Sequence, residues 1–352
     1  MTKLDRGAPG VQWSADTSPM TAPTAQATAV DSYPVACAAC GGQLGVDGYC
    51  TTCGQKARSL REHYELTPQP WVAGVCDIGQ THARNEDALA LQADATRAVI
   101  VVCDGVTTSE GSDVASMAAA RSTCDHVWAS DPKGLGTPSS RAAAMRSVLV
   151  KAVARANQTV IDHTDLASHN FAATTIAIAV VDSSAIFCAT LGDSRVYWLP
   201  DFGQPEQATK DHSLAQSGMD SGTERAQAEA SIFAHTITKW LGRDATDLMP
   251  NTAQIELTEP GWLIVCSDGL WNYVSEAARL ATLVGELAGE PVTAHQLATR
   301  LVGWANDQGG HDNITVACAR VGDHRPAQEA RASTTSEAVD TTSASGPTPK
   351  HT

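Results

Sequence analysis

The sequence predicts an α+β fold in which β-sheets pack against each other and helices cover their outer faces. Two observations support this prediction. Apolar strand-like runs occur in groups, and helical patterns occur in groups between them, rather than alternating one by one along the chain. In addition, 43% of the 352 residues are hydrophobic, which is enough to build a sizeable core.

The predicted elements begin at residue 71 and follow in chain order. Short apolar runs bounded by turn residues indicate strands, and apolar residues at helical spacing indicate helices. Ser112 is the expected N-cap of the first helix, and residues 211–234 are polar and irregular. The predicted strands are 71–77, 88–91, 98–103, 172–181, 185–190, 195–199, 262–266 and 314–321, and the predicted helices are 112–130, 139–165, 275–287 and 293–306.

Low-complexity segments flank the predicted folded part. Residues 1–34 and 323–352 are rich in Ala, Thr and Ser without periodicity, which predicts a disordered arm and a disordered tail. Residues 35–57 contain a cluster of cysteines, and residues 58–70 are typical of a linker. The remaining residues, 71–322, form the expected main domain.

Charge and composition exclude several classes of partner. The formal net charge of −15 argues against nucleic acid and against anionic lipid. The sequence contains no signal-peptide pattern and no apolar run of roughly 18–20 residues that could insert into a membrane. Six of the ten cysteines lie singly in or beside apolar runs, which is typical of buried thiols in a reducing compartment. We therefore expect a cytoplasmic protein, and a monomer.

The other four cysteines form two C-x2-C pairs nine residues apart. The pairs are Cys37 with Cys40 and Cys50 with Cys53, and each is followed by glycine. Zinc takes four thiolates in a tetrahedron, and a two-residue gap lets one tight turn present two of them. Glycine permits the positive φ that such a turn requires. The spacing predicts a small zinc ribbon, with a structural or docking role rather than a nucleic-acid-binding one.

Acidic residues recur where apolar strands begin or end. Asp104 follows the run 99–103, Asp268 follows the run 263–266 after one serine, and Asp312 precedes the last strand. One Asp-Gly pair at a strand end is usually only a turn, but several in one domain favour a shared site. Carboxylate oxygens are the ligands that Mg²⁺ and Mn²⁺ prefer, so these residues predict a metal site at one edge of the sheets.

Taken together, these motifs resemble the PP2C (PPM) family of metal-dependent protein serine/threonine phosphatases, in particular its bacterial members. The resemblance covers residues 71–322 and preserves the order of the family motifs. The motifs are Asn85-Glu86-Asp87, Val102-Cys-Asp104-Gly105, Ala173-Thr-Thr175, Leu191-Gly-Asp-Ser-Arg195, Lys210-Asp-His-Ser213, Ile237-Thr-Lys-Trp-Leu-Gly242, Cys266-Ser-Asp-Gly-Leu270 and Gly309-Gly-His-Asp-Asn-Ile-Thr-Val316.

The resemblance implies a four-layer αββα sandwich of two antiparallel sheets flanked by helices, with a centre of two or three Mn²⁺ or Mg²⁺ ions. By motif, Asp104, the Gly105 carbonyl, Asp268 and Asp312 would bind the metals. Asp193 would join Asp268 at a third site. Glu86 and Asp87 would orient metal-bound water. Residues 213–234 would correspond to the flap that covers the cleft in bacterial members.

Two departures from the family pattern affect the substrate side of the cleft. His82 stands where the family usually has a phosphate-binding arginine, and Arg84 follows two residues later. Strand alternation would place both on one face, so Arg84, His82 or both are candidates for binding phosphate. Residues 106–109 also differ from the usual Met-Gly-Gly-His, so the histidine that acts as a general acid in eukaryotic relatives is missing there.

The resemblance implies phosphorylated proteins as substrates and a Ser/Thr kinase as the opposing partner. The alternative is a weakly active or inactive relative that serves as a binding or regulatory module, with the ribbon recruiting a partner. The complete set of aspartates favours activity. A nucleic-acid-binding role for the ribbon is disfavoured by the net charge.

Overall fold

A computed structural model of the chain describes residues 36–322, apart from 38, 46–47, 56, 58, 166, 183 and 290–291. The expected disordered arm, 1–34, and tail, 323–352, lie outside the described residues. The chain divides into two units, Met1–Leu60 and Arg61–Thr352. In the first unit, the described residues form short bridges around the cysteines, such as Ala36 with Gln43 and Leu44 with Cys50.

The second unit contains all of the described regular strands and helices. The strands are β1 (His63–Gln69), β2 (Val72–Asp77), β3 (Ala88–Ala93), β4 (Ala98–Cys103), β5 (Ala173–Thr174), β6 (Ile176–Val181), β7 (Ala185–Leu191), β8 (Arg195–Pro200), β9 (Glu206–Gln207), β10 (Leu241–Gly242), β11 (Asn251–Glu256), β12 (Gly261–Cys266) and β13 (Ile314–Val321). The helices are α1 (Ser112–Ala129), α2 (Pro138–Asp162), α3 (Leu214–Asp220), α4 (Arg225–Glu229), α5 (Asp268–Trp271), α6 (Ala277–Ala288) and α7 (Ala294–Asp307).

The strands form two large antiparallel sheets and one small pair. The first sheet has the order β1-β2-β13-β12-β8-β9, and the second has the order β11-β7-β6-β4-β3. Strands β5 and β10 pair separately. Helices α1 and α2 cover the second sheet, and α6 and α7 cover the first. The four-layer αββα sandwich is therefore confirmed.

Side chains alternate between the two faces of the central strands, so one sheet contributes to two hydrophobic cores. In β12, Leu263 and Val265 face the second sheet, whereas Ile264 and Cys266 pack under α6 and α7. Successive side chains point to opposite faces of a strand, so a strand buried on both faces is apolar throughout. All six singly placed cysteines are buried free thiols in this sandwich, as the sequence predicts.

The structure corrects several local predictions. Strand β1 lies within the stretch expected to be a linker, 58–70, and pairs with β2. Helices α3 and α4 lie in the segment 211–234 that was expected to be irregular. The N-cap of α1 is Gly111, in a left-handed conformation, and the Ser112 hydroxyl donates to the Val106 carbonyl instead. Among the described residues, no helix is both long and apolar enough to cross a bilayer.

Candidate metal centre and active site

The register of the second sheet brings two of the predicted acidic residues together. Cys103, the last residue of β4, lies opposite Ala88, the first residue of β3. Asp104 follows one strand and Asp87 precedes the other, so both lie at the same end of the sheet. Antiparallel neighbours share their ends in this way, which is why residues 17 positions apart in sequence are adjacent here.

The first sheet contributes acidic residues at its adjoining end. Cys266, at the end of β12, lies opposite Arg195 of β8 and Val316 of β13. Asp268 follows β12, and Asp193 precedes β8. A Cβ on Gly269 would lie 2.0 Å from the carbonyl oxygen of Asn313. Only glycine therefore lets the first turn of α5 approach the loop that precedes β13 so closely.

The four other predicted aspartates are charged neighbours of Asp104. Burial raises the pKa of Asp104 well above its usual value, and so do the negative charges of Asp87, Asp268, Asp312 and Asp193. Burial and the charge of Asp312 likewise raise the pKa of Asp268 to about 6. Burial followed by the charge of Asp268 raises the pKa of Asp193. Carboxylates crowded in this way favour either a proton or a cation between them.

Two hydroxyl groups fix the Asp87 carboxylate. Ser267 Oγ and Thr315 Oγ1 each donate to Asp87 Oδ2 at 2.7 Å. Burial nevertheless raises the pKa of Asp87 to about 7. Thr315 lies in β13 and Ser267 directly follows β12, so Asp87 also connects the two sheets at the site. Their roles were not predicted from the sequence, although a threonine within the apolar run of β13 was the available signal.

The backbone of Asp104 is held by two further hydroxyl residues. The Asp104 N–H donates to Thr175 Oγ1 at 3.1 Å. The Asp104 carbonyl accepts from the Thr175 N–H at 2.8 Å and from Thr174 Oγ1 at 2.9 Å. Thr175 Oγ1 in turn lies 2.8 Å from Ser194 Oγ. The Ala173-Thr-Thr175 motif therefore positions Asp104 through its main chain.

Glu86 lies on a different side of the site from Asp87. Burial raises the pKa of Glu86, a hydrogen bond from the Thr107 side chain lowers it, and Asp113, Arg84 and His82 are its charged neighbours. Glu86 is therefore placed beside the two candidate phosphate-binding residues. Thr107 belongs to the segment 106–109 that departs from the family pattern, and its contact was not predicted.

His82 and Arg84 have different partners. His82 Nε2 lies 3.2 Å from Asp312 Oδ1, and Arg84 Nη1 lies 3.6 Å from Asp113 Oδ1 in the first turn of α1. The residues between β2 and β3 form turns and loop rather than strand, so strand alternation does not describe them. The Arg84 side chain is 64% exposed, whereas that of His82 is 22% exposed.

The fold and the acidic centre agree with a comparison against known families. The sequence model of the family described as "Protein phosphatase 2C" matches residues 79–306, which include Asp87, Asp104, Asp193 and Asp268 of the centre, and Asp312 follows six residues after the match ends. The chain belongs to the protein phosphatase 2C family.

Relatives of this PP2C protein align with most of the chain. It is 27% identical to "Serine/threonine phosphatase stp" of Listeria monocytogenes over 243 residues, 68% of this chain and 91% of the relative. Among solved structures, it resembles the S. agalactiae serine/threonine phosphatase, with a TM-score of 0.60, 25% identity, and coverage of 74% of this chain and 100% of that one. It also resembles the PPM Ser-Thr phosphatase MsPP of Mycobacterium smegmatis, with a TM-score of 0.56, 27% identity, and coverage of 71% and 98%.

The donor set of the centre fits the metals on which PP2C proteins depend. The family is metal-dependent, generally with Mn²⁺ or Mg²⁺. These hard cations prefer carboxylate and carbonyl oxygens, which is what Asp104, Asp268 and Asp312 offer. The raised pKa values of Asp104 and Asp268 indicate that cations would relieve a repulsion already built into the protein.

A buried arginine connects the flap (residues 213–234) to the centre of this PP2C protein. Arg195 donates to Asp211 through Nε and Nη2, and its Nη2 lies 3.5 Å from Glu229 Oε1 at the end of α4. The guanidinium stacks on Trp271 with 3.6 Å between its central carbon and the ring centroid. The Trp271 indole N–H donates to the Asp193 carbonyl at 2.9 Å. The flap is thus linked to Arg195, which lies two residues after Asp193, and through Arg195 to Trp271, which lies three residues after Asp268.

The two C-x2-C pairs of the first unit have similar turn geometry. Gly41 and Gly54 have φ values of 70° and 73°, as the sequence predicts. The four Sγ atoms all lie within 4.8 Å of one another. Cys37 Sγ lies 3.7 Å from Cys53 Sγ, and Cys40 Sγ lies 3.5 Å from Cys50 Sγ. A tetrahedral zinc with Zn–S bonds of about 2.3 Å separates its sulfurs by roughly 3.8 Å, so these spacings fit zinc.

Proposed function

We propose that this chain is a metal-dependent phosphatase that hydrolyses phosphoserine and phosphothreonine in proteins and opposes a Ser/Thr kinase. The observation that carries the proposal is the cluster of five buried or half-buried aspartates at one end of a PP2C sandwich. Protein serine/threonine phosphatases among the relatives support the same activity. No observation favours the alternative of an inactive binding module.

The proposed ligands are Asp104, the Gly105 carbonyl, Asp268 and Asp312, with Asp193 and Asp268 forming a third site. Two divalent cations held by these residues would lower the pKa of water and neutralise charge on the phosphoryl group. The chain needs no nucleophilic side chain of its own. Asp87, held by two hydroxyls, and Glu86, held by Thr107, would accept hydrogen bonds from water and orient it.

Arg84 is the better candidate of the two for holding the substrate phosphate. Its side chain is 64% exposed, and its Nη1 lies 3.6 Å from Asp113 Oδ1, which is beyond hydrogen-bond distance. Arg84 therefore breaks no hydrogen bond to Asp113 when it turns to a phosphate dianion. His82 already pairs with Asp312 and would give up that contact to bind phosphate. We therefore assign phosphate binding first to Arg84, and assign to His82 the orientation of Asp312.

Phosphate release from a phosphothreonine peptide in the presence of Mn²⁺ tests the proposed activity. Asp268→Ala should lower kcat/KM by about 100-fold or more, because losing an outer-shell partner of a metal ligand alone costs roughly 10–100-fold. The control is Asp201→Ala, which removes the pair with Arg320 beyond the opposite end of β8. Equal rates for the wild type and Asp268→Ala would contradict the proposed centre.

For the first unit, we propose that Cys37, Cys40, Cys50 and Cys53 bind one structural zinc ion as a ribbon separate from the catalytic domain. The backbone N–H groups of Thr52 and Cys53 donate to Cys50 Sγ at 3.4 and 3.5 Å, and such contacts favour the thiolate that zinc requires. Elemental analysis should find one zinc per chain. Cys50→Ser should lose that zinc while keeping Mn²⁺-dependent phosphate release, and retention of the zinc would refute the assignment.

A further inference from the structure

Asp77, an aspartate outside the proposed ligand set, lies buried at the end of β2, and both of its carboxylate oxygens have polar partners. Its Oδ1 accepts from the Gly79 N–H at 2.9 Å and from Asn306 Nδ2 at 3.1 Å. Its Oδ2 lies 2.7 Å from His63 Nδ1 of β1. Burial by itself would raise the pKa of Asp77, but the contacts with His63, Asn306 and Gly79 lower it. Asp77 is therefore a charged carboxylate that ties β1, β2 and α7 together.

The turn that Asp77 stabilises lies directly against Asp312. Gly79 has φ +75°, and a Cβ on it would lie 2.1 Å from the Asp312 carbonyl oxygen. The Gln80 N–H donates to the Gly310 carbonyl at 2.8 Å, and Thr81 Oγ1 donates to the His311 carbonyl at 2.6 Å. The turn thus contacts each of the three residues 310, 311 and 312.

A second side chain completes the connection. Asn313 Nδ2 donates to the Ile78 carbonyl at 2.9 Å, and Asn313 Oδ1 accepts from the Glu86 N–H at 2.7 Å. The backbone N–H of Asn313 donates to Asp312 Oδ1 at 2.8 Å. Movement of the turn at 78–81 would therefore displace the Asp312 carboxylate and the start of the Glu86-Asp87 pair together.

We propose that Asp77 is a positioning residue that holds the proposed metal ligand Asp312 in place through the turn 78–81. The inference rests on the proposed function of Asp312. Ligand groups displaced by a fraction of an ångström bind metal less well, and the residues that orient them typically account for about 10–100-fold in affinity. Asp77 is outside the proposed ligand set, and it would act only through its neighbours.

Asp182 offers a matched control on the same sandwich. It is 6% exposed, as is Asp77, and its Oδ1 likewise accepts the N–H of the residue two positions on, Ser184, at 2.9 Å. It stabilises the turn between β6 and β7 at the end opposite Thr175, away from the acidic centre. A purely structural role for Asp77 would make Asp77→Ala and Asp182→Ala behave alike.

Mn²⁺ binding to the zinc-loaded full chain, measured by calorimetric titration, tests the proposal. Asp77→Ala should raise the Mn²⁺ dissociation constant about 10-fold or more, whereas Asp77→Asn should stay near the wild type because it keeps the Oδ1 acceptor. Asp182→Ala should lower Tm without changing Mn²⁺ affinity. Unchanged Mn²⁺ affinity in folded Asp77→Ala would overturn the proposal.

Two more variants keep the test decisive. If Asp77→Ala does not fold, Thr81→Val removes one exposed hydroxyl that holds the His311 carbonyl and should weaken Mn²⁺ binding by about threefold, roughly the value of one hydrogen bond. Unchanged affinity in Thr81→Val would then overturn the proposal. Asp312→Ala separates the two claims. If Asp312→Ala still binds Mn²⁺, the proposed metal site is wrong. If Asp312→Ala abolishes Mn²⁺ binding but Asp77→Ala does not weaken it, only the positioning role of Asp77 is wrong.

Discussion

At the scale of single residues, Glu86 and Asp87 show how neighbours in sequence serve different parts of one site. Asp87 lies among the aspartates and is held by Ser267 and Thr315, whereas Glu86 faces Thr107 and the charged pair of Arg84 with Asp113. Asp87 directly precedes β3, whereas Glu86 belongs to the loop before it, and the pair reaches both the acidic centre and the substrate side.

Arg84 makes a prediction at this scale. Arg84→Ala should raise KM for a phosphothreonine peptide about 10-fold or more with little change in kcat, because a charge-assisted hydrogen bond to a bound phosphate contributes about 1.5–3 kcal/mol. Steady-state kinetics against peptide concentration would measure this. Arg141→Ala, which removes an arginine paired with Asp182 far from the site, is the control. An unchanged KM in Arg84→Ala would move phosphate binding to another residue.

At the scale of elements, the flap is short of apolar contacts and depends on polar ones. Its buried cluster contains only Ala215, Ala228 and Ala234, with Met219 packed beside them. Glu229 makes the main polar connection: it accepts from Arg225 at 2.8 Å and from Ser275 Oγ at 2.7 Å, beside Arg195. A segment with so little buried apolar surface opens at low energetic cost.

We therefore expect Glu229→Ala to loosen the flap. Arg225 is the sole lysine or arginine of residues 213–234, so trypsin cleavage after Arg225 reports flap opening. Glu229→Ala should speed this cleavage about 10-fold, in line with roughly 1.5 kcal/mol for a hydrogen bond to a charged group. Asp220→Ala removes the exposed pair with Lys210 on the same flap and should have a much smaller effect. Equal cleavage rates in the two variants would contradict the role of Glu229.

At the scale of the whole molecule, both sheets end in carboxylates at the same place, so the domain concentrates negative charge. Burial and mutual repulsion raise the pKa values of Asp87 to about 7 and of Asp268 to about 6, and raise those of Asp104 and Asp193 as well. In the unfolded chain these groups titrate near pH 4. Between about pH 4 and pH 7 the folded metal-free protein therefore binds more protons than the unfolded chain.

It follows that the metal-free protein loses stability as the pH rises through this range. Its Tm should fall between pH 5.5 and pH 7.5, and Mn²⁺ should raise Tm more at pH 7.5, because cations and protons compete for the same carboxylates. Thermal scans with chelator or with MnCl₂ would measure both effects. A chelator also competes for the cysteine cluster, so the scans are repeated on Cys40→Ser. An equal Mn²⁺ effect at both pH values would contradict this prediction.

Much of the fold and of the candidate site follows from local pattern. Strands such as β4 and β13 and helices such as α7 were predicted within one or two residues, because their burial imposes a regular apolar spacing. Strand β1 and helices α3 and α4 were missed, because their residues are half exposed and their order comes from pairing and ion pairs rather than from a buried face.

The sequence alone determined that aspartates follow or precede apolar strands, that four cysteines have zinc-ligand spacing, and that the motifs stand in the PP2C order. Only the tertiary structure decided which groups meet. Packing of the two sheets brings Asp87 onto Ser267 and Thr315, and the pairing of β2 with β13 brings the turn after Asp77 onto the carbonyl of Asp312. Contacts between residues 180 or more positions apart depend on strand pairing and on how the two sheets pack, and no local spacing encodes either.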